Sequence, residues 1–496
     1  MILALCIAAA VVLLGAALVY LKQTLDAGAQ FVFADTNAPI PGPGLISSQF
    51  GLANLHDFQQ DVPAKYGNAS LIYMLAKPSL LLGSAPAVRE MMMERWQEFE
   101  RLGEQFAEHP IFGELLKESL FLLDDDDWKA LRKQLAQGFK FNVLKAMVPH
   151  FNDASDQLAT SWSELIAKST DFATIDISPW LTKMTTEVIG VVAFGVRFNA
   201  IAAGESDYLK HVQRIMQEST NFLSYIPGFL LLPTPGNLSM RKAAKVLTDV
   251  TVGVIEARRQ LLSENIDNPE FVPPNDMLQV MLGENSLSMQ AVFANGIGFL
   301  IAGSETTSVA LTWALWLLAK NPEMQDKARA EAQEAFAGGE MDFAKSEHLK
   351  YIGFIIKETM RLYPPAWLNV RRAAKDTVLA GVKLPAKAMI TVPVMYLHRA
   401  KEYWGPTALE FRPERWDVER ISAGDFQEPP RGAYVPFNVG PRDCIGARFA
   451  TLEMKVVLAQ LLCKFKFEEK PGFEPQFSMA ETLVPKHGME LRITHV

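Results

Sequence analysis

One cysteine near the C-terminus has the surroundings of a metal-binding thiolate. Cys444 stands in the stretch Phe437-Asn-Val-Gly440-Pro-Arg442-Asp-Cys444-Ile-Gly446, which an apolar run of helical periodicity follows. We therefore expect its sulfur at a helix N-terminus, where unpaired N–H groups and the positive end of the dipole favour the thiolate. A lone thiolate on haem iron favours O–O cleavage. The alternative is a buried free cysteine in a glycine-containing turn.

The neighbours of Cys444 suit a flat cofactor that carries carboxylates. Gly440 and Gly446 would allow a tight turn and a close approach of the backbone, with no side chain in the way. Phe437 offers an apolar wall. Arg442 lies two residues before the cysteine, where its guanidinium is placed to bind a haem propionate bidentately.

A second polar motif interrupts an apolar helical run between Asp276 and Lys320. It reads Ala302-Gly303-Ser304-Glu305-Thr306-Thr307. An acid and several hydroxyls in the middle of an apolar helix are costly to bury unless they are hydrogen-bonded. The motif is therefore either a satisfied polar kink in a core helix or a functional site built into that helix.

Two charged motifs have helical spacing. Trp128 and Arg132, which follow four acids at a helix start, are four positions apart and share a face. The alternative for this pair is an ordinary amphipathic helix with a snorkelling arginine. Glu358 and Arg361 are three positions apart, so their charges can pair.

Composition and cysteine count exclude several classes of protein. The chain has 496 residues, of which 49% are hydrophobic and 21% charged, enough to bury a large core. Its formal net charge of −8 argues against a nucleic-acid partner. The three cysteines, Cys6, Cys444 and Cys463, leave neither a disulfide framework nor a cysteine-based zinc site.

The N-terminus predicts a membrane anchor. Ile2 to Leu21 is an uncharged run about as long as the ~20 residues that a bilayer helix requires. A cleaved signal peptide is the alternative, with Ala27-Gly28-Ala29 as its cleavage site, but the run is too long and lacks a positive n-region. Lys22 on its C-terminal side would place the rest in the cytosol. We expect an anchor over 1–21, a linker and Pro/Gly hinge over 22–44, and one catalytic domain over 45–496.

Together these motifs resemble the cytochrome P450 family of haem-thiolate monooxygenases. The cysteine stretch matches F-x-x-G-x-R-x-C-x-G, and the other motifs match W-x-x-x-R, E-x-x-R and P-E-R-F, with Trp416 in place of the usual Phe. Asn438 stands where many members have Gly or Ser. The resemblance covers the chain from about residue 35 to its end and implies a mainly α fold with small β-sheets.

The resemblance also implies roles for individual residues. Cys444 would bind the iron of haem b, and Glu305 and Thr306 would deliver protons to bound oxygen. Further cofactor-binding residues would be Trp128, Arg132, Ala302, Gly303, Arg371, Phe437, Gly440, Arg442 and Gly446. Arg371 is preferred to Arg372 because the family's basic residue lies five positions before Asp376. Glu358, Arg361 and Arg415 would form a structural triad, not a catalytic one.

The function implied is insertion of one oxygen atom from O2 into a lipophilic small molecule, most simply by hydroxylation. Electrons would come from NADPH through a diflavin reductase, with cytochrome b5 as an optional second donor. Lys129, Arg132, Lys133, Lys140, Arg448 and Lys455 could form a basic patch for this partner. The expected location is the endoplasmic reticulum membrane, crossed once.

Two other functions stay open at this point. A reductase-independent isomerase or dehydratase of the same family would commonly lack the acid and alcohol of Glu305 and Thr306. A non-catalytic haem- or lipid-binding membrane protein would have no use for them.

Three segments are expected near the substrate. Ala366 to Val370 and the turn at 481–484 would line the cavity. The loop at 221–236, rich in large apolar residues, Pro and Gly, would be a lid that dips into the membrane or, alternatively, a loop packed on the core.

Overall fold

The chain is mainly helical with small β-sheets, as predicted. The computed structural model describes residues 21–44, 62–74, 77–101, 111–169, 171–202, 210–212, 214–215, 228–283, 287–479 and 482–496. In these ranges no helix is both long enough and apolar enough to span a bilayer. The predicted anchor lies outside them except for Leu21.

The α-helices whose full length lies in the described ranges are numbered in chain order. They are α1 (Ala85–Arg89), α2 (Phe112–Leu116), α3 (Asp125–Leu135), α4 (Phe141–Ala167), α5 (Ile177–Phe194), α6 (Pro235–Glu264), α7 (Met277–Leu282), α8 (Met289–Lys320), α9 (Pro322–Phe336), α10 (Phe343–His348), α11 (Lys350–Leu362), α12 (Val394–Leu397), α13 (Lys401–Trp404), α14 (Val418–Ser422) and α15 (Ala447–Lys464). Short 3-10 turns include Ala136–Phe139, Phe229–Leu231 and Pro413–Trp416.

The strands form small sheets. They are β1 (Val32–Phe33), β2 (Ala69–Met74), β3 (Lys77–Leu82), β4 (Phe99–Glu100), β5 (Ala173–Asp176), β6 (Leu368–Ala373), β7 (Thr377–Leu379), β8 (Val382–Leu384), β9 (Met389–Pro393), β10 (Phe465–Glu469), β11 (Phe477–Met479), β12 (Leu483–Pro485) and β13 (Glu490–His495). The largest sheet has the order β2-β3-β9-β6-β4, and in it only the β3–β9 pair is parallel.

The chain divides into two compact units. The first consists of Met1–Leu102, Leu368–Ala408 and Glu428–Asp443, and it contains the five-stranded sheet and the sheet β1-β8-β7. The second consists of Gly103–Trp367, Leu409–Gln427 and Cys444–Val496, and it contains helices α2 to α11, α14 and α15. The sheet β10-β13-β5 and the hairpin β11-β12 also belong to the second unit.

In the first unit, β2 and β3 form a hairpin in which Lys77 and Pro78 both belong to β3. Proline lacks an N–H and is tolerated where a strand has only one neighbour. Pro78 pairs with Tyr73 of β2, whereas the pairing of β3 with β9 begins at Ser79.

The Pro/Gly segment before this hairpin lies against β2. The N–H of Leu71 donates to the carbonyl of Pro41 at 2.9 Å. A Cβ added to Gly42 would lie 1.8 Å from the carbonyl oxygen of Leu71, so only glycine fits there. The segment that resembles the family's hinge is thus packed on a strand.

Helix α8 is the centre of the second unit. It is mainly apolar, and most of its residues are buried, as this composition requires. It packs along α5 and also contacts α6, α11 and α15. Its start is fixed by Ser288, whose hydroxyl accepts from the N–H of Ala291 at 2.9 Å.

A buried ionic cluster joins α11 to the turn Pro413–Trp416. Both oxygens of Glu358 accept from Arg361, each at 2.8 Å, and Oε1 also accepts from Arg415 at 3.3 Å. All three side chains are at most 1% exposed. The N–H of Arg412 and the indole of Trp416 each donate to Glu358 at 3.0 Å. Trp416 therefore supplies a donor that the family's usual phenylalanine lacks.

We expect Glu358→Gln to lower the free energy of unfolding by about 3–5 kcal/mol, because two buried guanidiniums would lose their counter-charge. Chemical denaturation of variant and wild type measures the difference. Asp425→Asn is the control, since Asp425 pairs with Arg420 at 2.7 Å on the surface and should matter little. Equal effects of the two substitutions would refute the structural role of the triad.

A second buried acid is held differently. Glu453 of α15 is 0% exposed, and neither of its carboxyl oxygens has a hydrogen-bond partner among the residues described. Burial raises the pKa of this carboxyl well above its ordinary value. Burial therefore favours the neutral form of Glu453 in the folded protein.

This raised pKa predicts a stability that depends on pH. The folded protein keeps a proton on Glu453 that the unfolded chain loses above its ordinary pKa, so the contribution to stability is lost as pH rises. Glu453→Gln should remove this loss. As pH rises above about 5, we expect the free energy of unfolding of the variant to increase relative to that of wild type, by at most about 1.4 kcal/mol per pH unit. If the free energies of unfolding of variant and wild type change with pH in parallel, the prediction is wrong.

Candidate active site

Cys444 lies just before a helix, as the sequence indicated. Gly446 is the N-cap residue of α15, and the carbonyl of Cys444 accepts from the N–H of Ala447 at 3.3 Å. The side chain of Cys444 is exposed. Cys463 is half-buried, and burial raises the pKa of its thiol to about 11. Of these two cysteines, only Cys444 has the setting of a reactive thiolate.

Aromatic rings connect the cysteine loop with α8. A Cβ added to Gly446 would lie 3.9 Å from Cys444 Sγ and equally far from Cε1 of Phe139. The ring of Phe139 in turn lies 6.0 Å from that of Phe299, centroid to centroid. Phe299 precedes the polar motif of α8 by one turn. Phe139 was not singled out from the sequence, since a phenylalanine after an amphipathic helix carries no signal of its own.

The polar motif of α8 lies on the least buried part of that helix. Ala302 is exposed, whereas Gly303, Glu305 and Thr306 are half-buried. The hydroxyl of Thr306 donates to the carbonyl of Ala302 at 2.7 Å, one turn back in the same helix. An open, partly polar face on an otherwise buried helix is suited to contact a small molecule.

Gly303 has a packing role that the sequence did not indicate. A Cβ at this position would lie 2.8 Å from Cδ1 of Ile189 in α5. The missing side chain therefore lets α5 approach α8 closely. On the next residue, the carbonyl of Ser304 accepts from the hydroxyl of Thr185 at 2.6 Å, which fastens the same two helices together.

Glu305 is hydrogen-bonded from outside its helix. The hydroxyl of Thr482 donates to Glu305 Oε1 at 2.6 Å, and Thr482 is buried. The sequence placed Thr482 in a turn at 481–484 expected to line the substrate cavity; in the structure Thr482 directly precedes β12, to which Leu483 and Val484 belong. The contact itself was missed, because no local pattern links residues so distant in the chain.

Trp128 and Arg132 are carried by α3 in the same unit as Cys444. Trp128 is buried and Arg132 is half-buried, one turn further along the helix. The 3-10 turn that contains Phe139 follows α3 directly. The indole of Trp128 and the guanidinium of Arg132 thus belong to the helix that directly precedes the turn of Phe139.

In the first unit, β6 distinguishes Arg371 from Arg372. Successive residues of a strand face opposite sides of the sheet. Arg372 forms an ion pair with Glu100 at 2.6 Å, whereas Arg371 donates to the side chain of Asn369 at 2.6 Å. Arg372 is thereby committed to a structural pair, which supports the preference for Arg371.

The loop before Cys444 is shaped by two left-handed residues. Asn438 has φ +60° and Gly440 has φ +78°. A Cβ on Gly440 would lie 2.0 Å from the carbonyl oxygen of Met92, so the predicted close approach is to protein backbone. Asparagine tolerates positive φ, which explains why Asn438 is acceptable in this turn. Phe437 is half-buried and Arg442 is buried.

These residues have the chemistry that haem requires. The second unit offers an exposed thiol near apolar rings, together with an indole and a guanidinium. The first unit offers the buried guanidiniums of Arg371 and Arg442. A thiolate is a ligand for iron, and guanidiniums bind carboxylates such as the propionates.

The basic patch predicted for a redox partner is smaller than expected. Lys455 is half-buried, donates to the carbonyl of Ser346 at 3.1 Å, and has its pKa lowered by burial. Lys129 is engaged with Asp126 at 2.8 Å. Lys133, Lys140 and Arg448 are exposed.

Comparison with known proteins agrees with this chemistry. The family model of Cytochrome P450 matches residues 36–493. Cytochrome P450 72A397 of Kalopanax septemlobus is 29% identical over 442 residues, which cover 86% of this chain and 81% of that protein. Secologanin synthase 1 of Catharanthus roseus is 30% identical, with 85% and 80% covered. The 11-oxo-beta-amyrin 30-oxidase of Glycyrrhiza uralensis is 29% identical, with 86% and 80% covered. The chain therefore belongs to the cytochrome P450 family, and it is a haem-dependent monooxygenase that uses electrons from a reductase to insert oxygen from O2 into a lipophilic molecule.

Proposed function

We propose that the Cys444 thiolate would bind the iron of haem b and that this protein hydroxylates a lipophilic substrate beside α8. The observation that carries the proposal is the exposed Cys444 thiol directly before the N-terminus of α15. The helix N-terminus favours the thiolate that such a ligand requires. Bound there, the haem supplies the activation of dioxygen.

Other residues would hold the cofactor in place. Arg132, Arg371 and Arg442 would pair with the propionates, and the N–H of Trp128 would donate to one of them. Phe437, Gly440 and Gly446 would form the wall and turns of the cysteine loop. Ala302, which is exposed, and Gly303, which is half-buried, would present backbone and a small side chain of α8 to the cofactor and to oxygen.

Glu305 and Thr306 would control protons. The Thr306 hydroxyl donates to the carbonyl of Ala302, so its lone pairs remain able to accept from a water molecule. The Glu305 carboxylate, which is half-buried, would pass protons to that water. Proton supply decides whether dioxygen is reduced as far as water or only to hydrogen peroxide, which is then released. An isomerase or dehydratase would need neither residue.

The substrate class follows from chemistry and from the relatives. One relative is named as an 11-oxo-beta-amyrin 30-oxidase. We propose that compounds of this kind are the first to test. Ala366 to Val370 and the turn at 481–484 would contact the substrate.

NADPH would supply the electrons through a diflavin reductase, with cytochrome b5 as an optional second donor. The exposed Lys133, Lys140 and Arg448 would contribute to docking of an acidic partner. The uncharged run from Ile2 to Leu21 supports a single-pass anchor in the endoplasmic reticulum membrane, followed by the linker and the catalytic domain. Leu231 and Leu232, which are 76% and 52% exposed, would add to membrane contact at the proposed lid.

The ligand assignment is tested by the carbon-monoxide difference spectrum of the reduced protein. We expect a Soret band displaced far to the red, which Cys444→Ser abolishes because serine supplies no thiolate. Cys463→Ser is the matched control and should keep the band, since that thiol is half-buried and has a raised pKa. A band that survives in Cys444→Ser would overturn the assignment.

The proton role is tested by the fate of oxygen in Thr306→Ala. With NADPH and a diflavin reductase, we expect the ratio of hydrogen peroxide to water formed to rise about tenfold or more, as loss of a positioned proton donor permits. An oxygen electrode and a peroxide assay measure both. Thr312→Val is the control, because this buried hydroxyl only donates to the carbonyl of Ser308 at 2.8 Å. An unchanged ratio in Thr306→Ala would exclude the proposed role.

A further inference from the structure

The geometry points to Thr482 as a positioning residue for proton delivery: its hydroxyl holds the carboxylate of Glu305 in one orientation. This inference rests on the proposed function of Glu305. The two side chains form a hydrogen bond of 2.6 Å although they are separated by 177 positions in the chain. Thr482 is 5% exposed, so the bond is protected from competing water.

The direction of the bond is fixed by chemistry. A carboxylate oxygen accepts, so the threonine hydroxyl is the donor. The bond restricts a side chain that otherwise rotates freely about three torsions. Because the bond occupies Oε1 of Glu305, we assign the exchange of protons to Oε2.

The turn that carries Thr482 is anchored independently of Glu305. The N–H of Leu483 donates to the carbonyl of Pro365 at 3.1 Å. The carbonyl of Leu483 accepts from the indole of Trp313 at 2.7 Å. Trp313 stacks on Tyr363, with ring centroids 4.3 Å apart and planes 10° apart. The turn is therefore fixed without the Thr482 hydroxyl.

These contacts argue against a purely structural role for Thr482. Two hydrogen bonds of the Leu483 backbone already join this segment to the indole of Trp313 in α8 and to the carbonyl of Pro365, three residues after α11. The hydroxyl adds a third bond, and this one goes to the acid proposed to move protons. Because the Thr482 hydroxyl is held rigidly, its hydrogen bond restricts the orientation of the Glu305 side chain.

The test uses the full-length protein with NADPH and a diflavin reductase, without added substrate. Reduction of dioxygen to hydrogen peroxide consumes two electrons and two protons, and reduction to two waters consumes four of each. The ratio of peroxide to water therefore reports proton delivery without a known substrate. We expect Thr482→Val to raise this ratio about fivefold, the change that one ordinary hydrogen bond supports.

Two further variants identify the hydroxyl as the cause. Thr482→Ser keeps the donor and should restore a ratio near that of wild type. Thr312→Val removes an equally buried hydroxyl from α8 and should leave the ratio unchanged. The carbon-monoxide spectrum of each variant checks that the haem site is intact. If Thr482→Ser behaves like Thr482→Val, or if neither changes the ratio, the inference is wrong.

Glu305→Gln separates this inference from the function on which it rests. If Glu305→Gln leaves the ratio unchanged, or wild type oxidises no NADPH with the reductase, the proposed function itself fails. If Glu305→Gln raises the ratio and Thr482→Val does not, only the inference fails. If both hold, Glu305→Gln combined with Thr482→Val should match Glu305→Gln alone, because the hydroxyl acts through the carboxylate.

Discussion

The fold around α8 has to satisfy polar groups inside an apolar helix, because unsatisfied polar groups are costly to bury. The hydroxyls do so locally: Ser304, Thr306 and Thr312 each donate to the carbonyl one turn earlier, at 2.6, 2.7 and 2.8 Å. A carboxylate has no such option, since it cannot donate to a carbonyl. Glu305 therefore needs a donor from another part of the chain, and Thr482 supplies it.

Three buried or half-buried acids of the second unit show three solutions to the same problem. Glu358 is surrounded by guanidiniums and by backbone and indole N–H groups. Glu453 has no such partners among the described residues, and burial raises the pKa of its carboxyl. Glu305 is half-buried and accepts a hydrogen bond from a hydroxyl of another element. Only the last of these carboxyl groups lies near an open helix face, which is where proton exchange is useful.

The resemblance to the family predicted the fold class, and local sequence patterns predicted parts of the candidate site. The cysteine before α15 and the Glu358–Arg361 pair depend on spacing along one helix, and both were correct. The packing of Gly303 on Ile189 and the bond from Thr482 to Glu305 join residues far apart in the chain. Such contacts follow from tertiary packing and leave no periodicity in one sequence. The roles assigned to individual haem-binding residues stay predictions.

The position of Thr482 has a consequence for the engineering of this protein. It lies in the turn before β12, a segment expected to contact substrate, and the same residue touches the acid of α8. Substrate selectivity and the efficient use of reducing equivalents would then depend on one short piece of chain. If this turn were replaced by that of a relative to change the substrate, the fraction of electrons lost to hydrogen peroxide would also change.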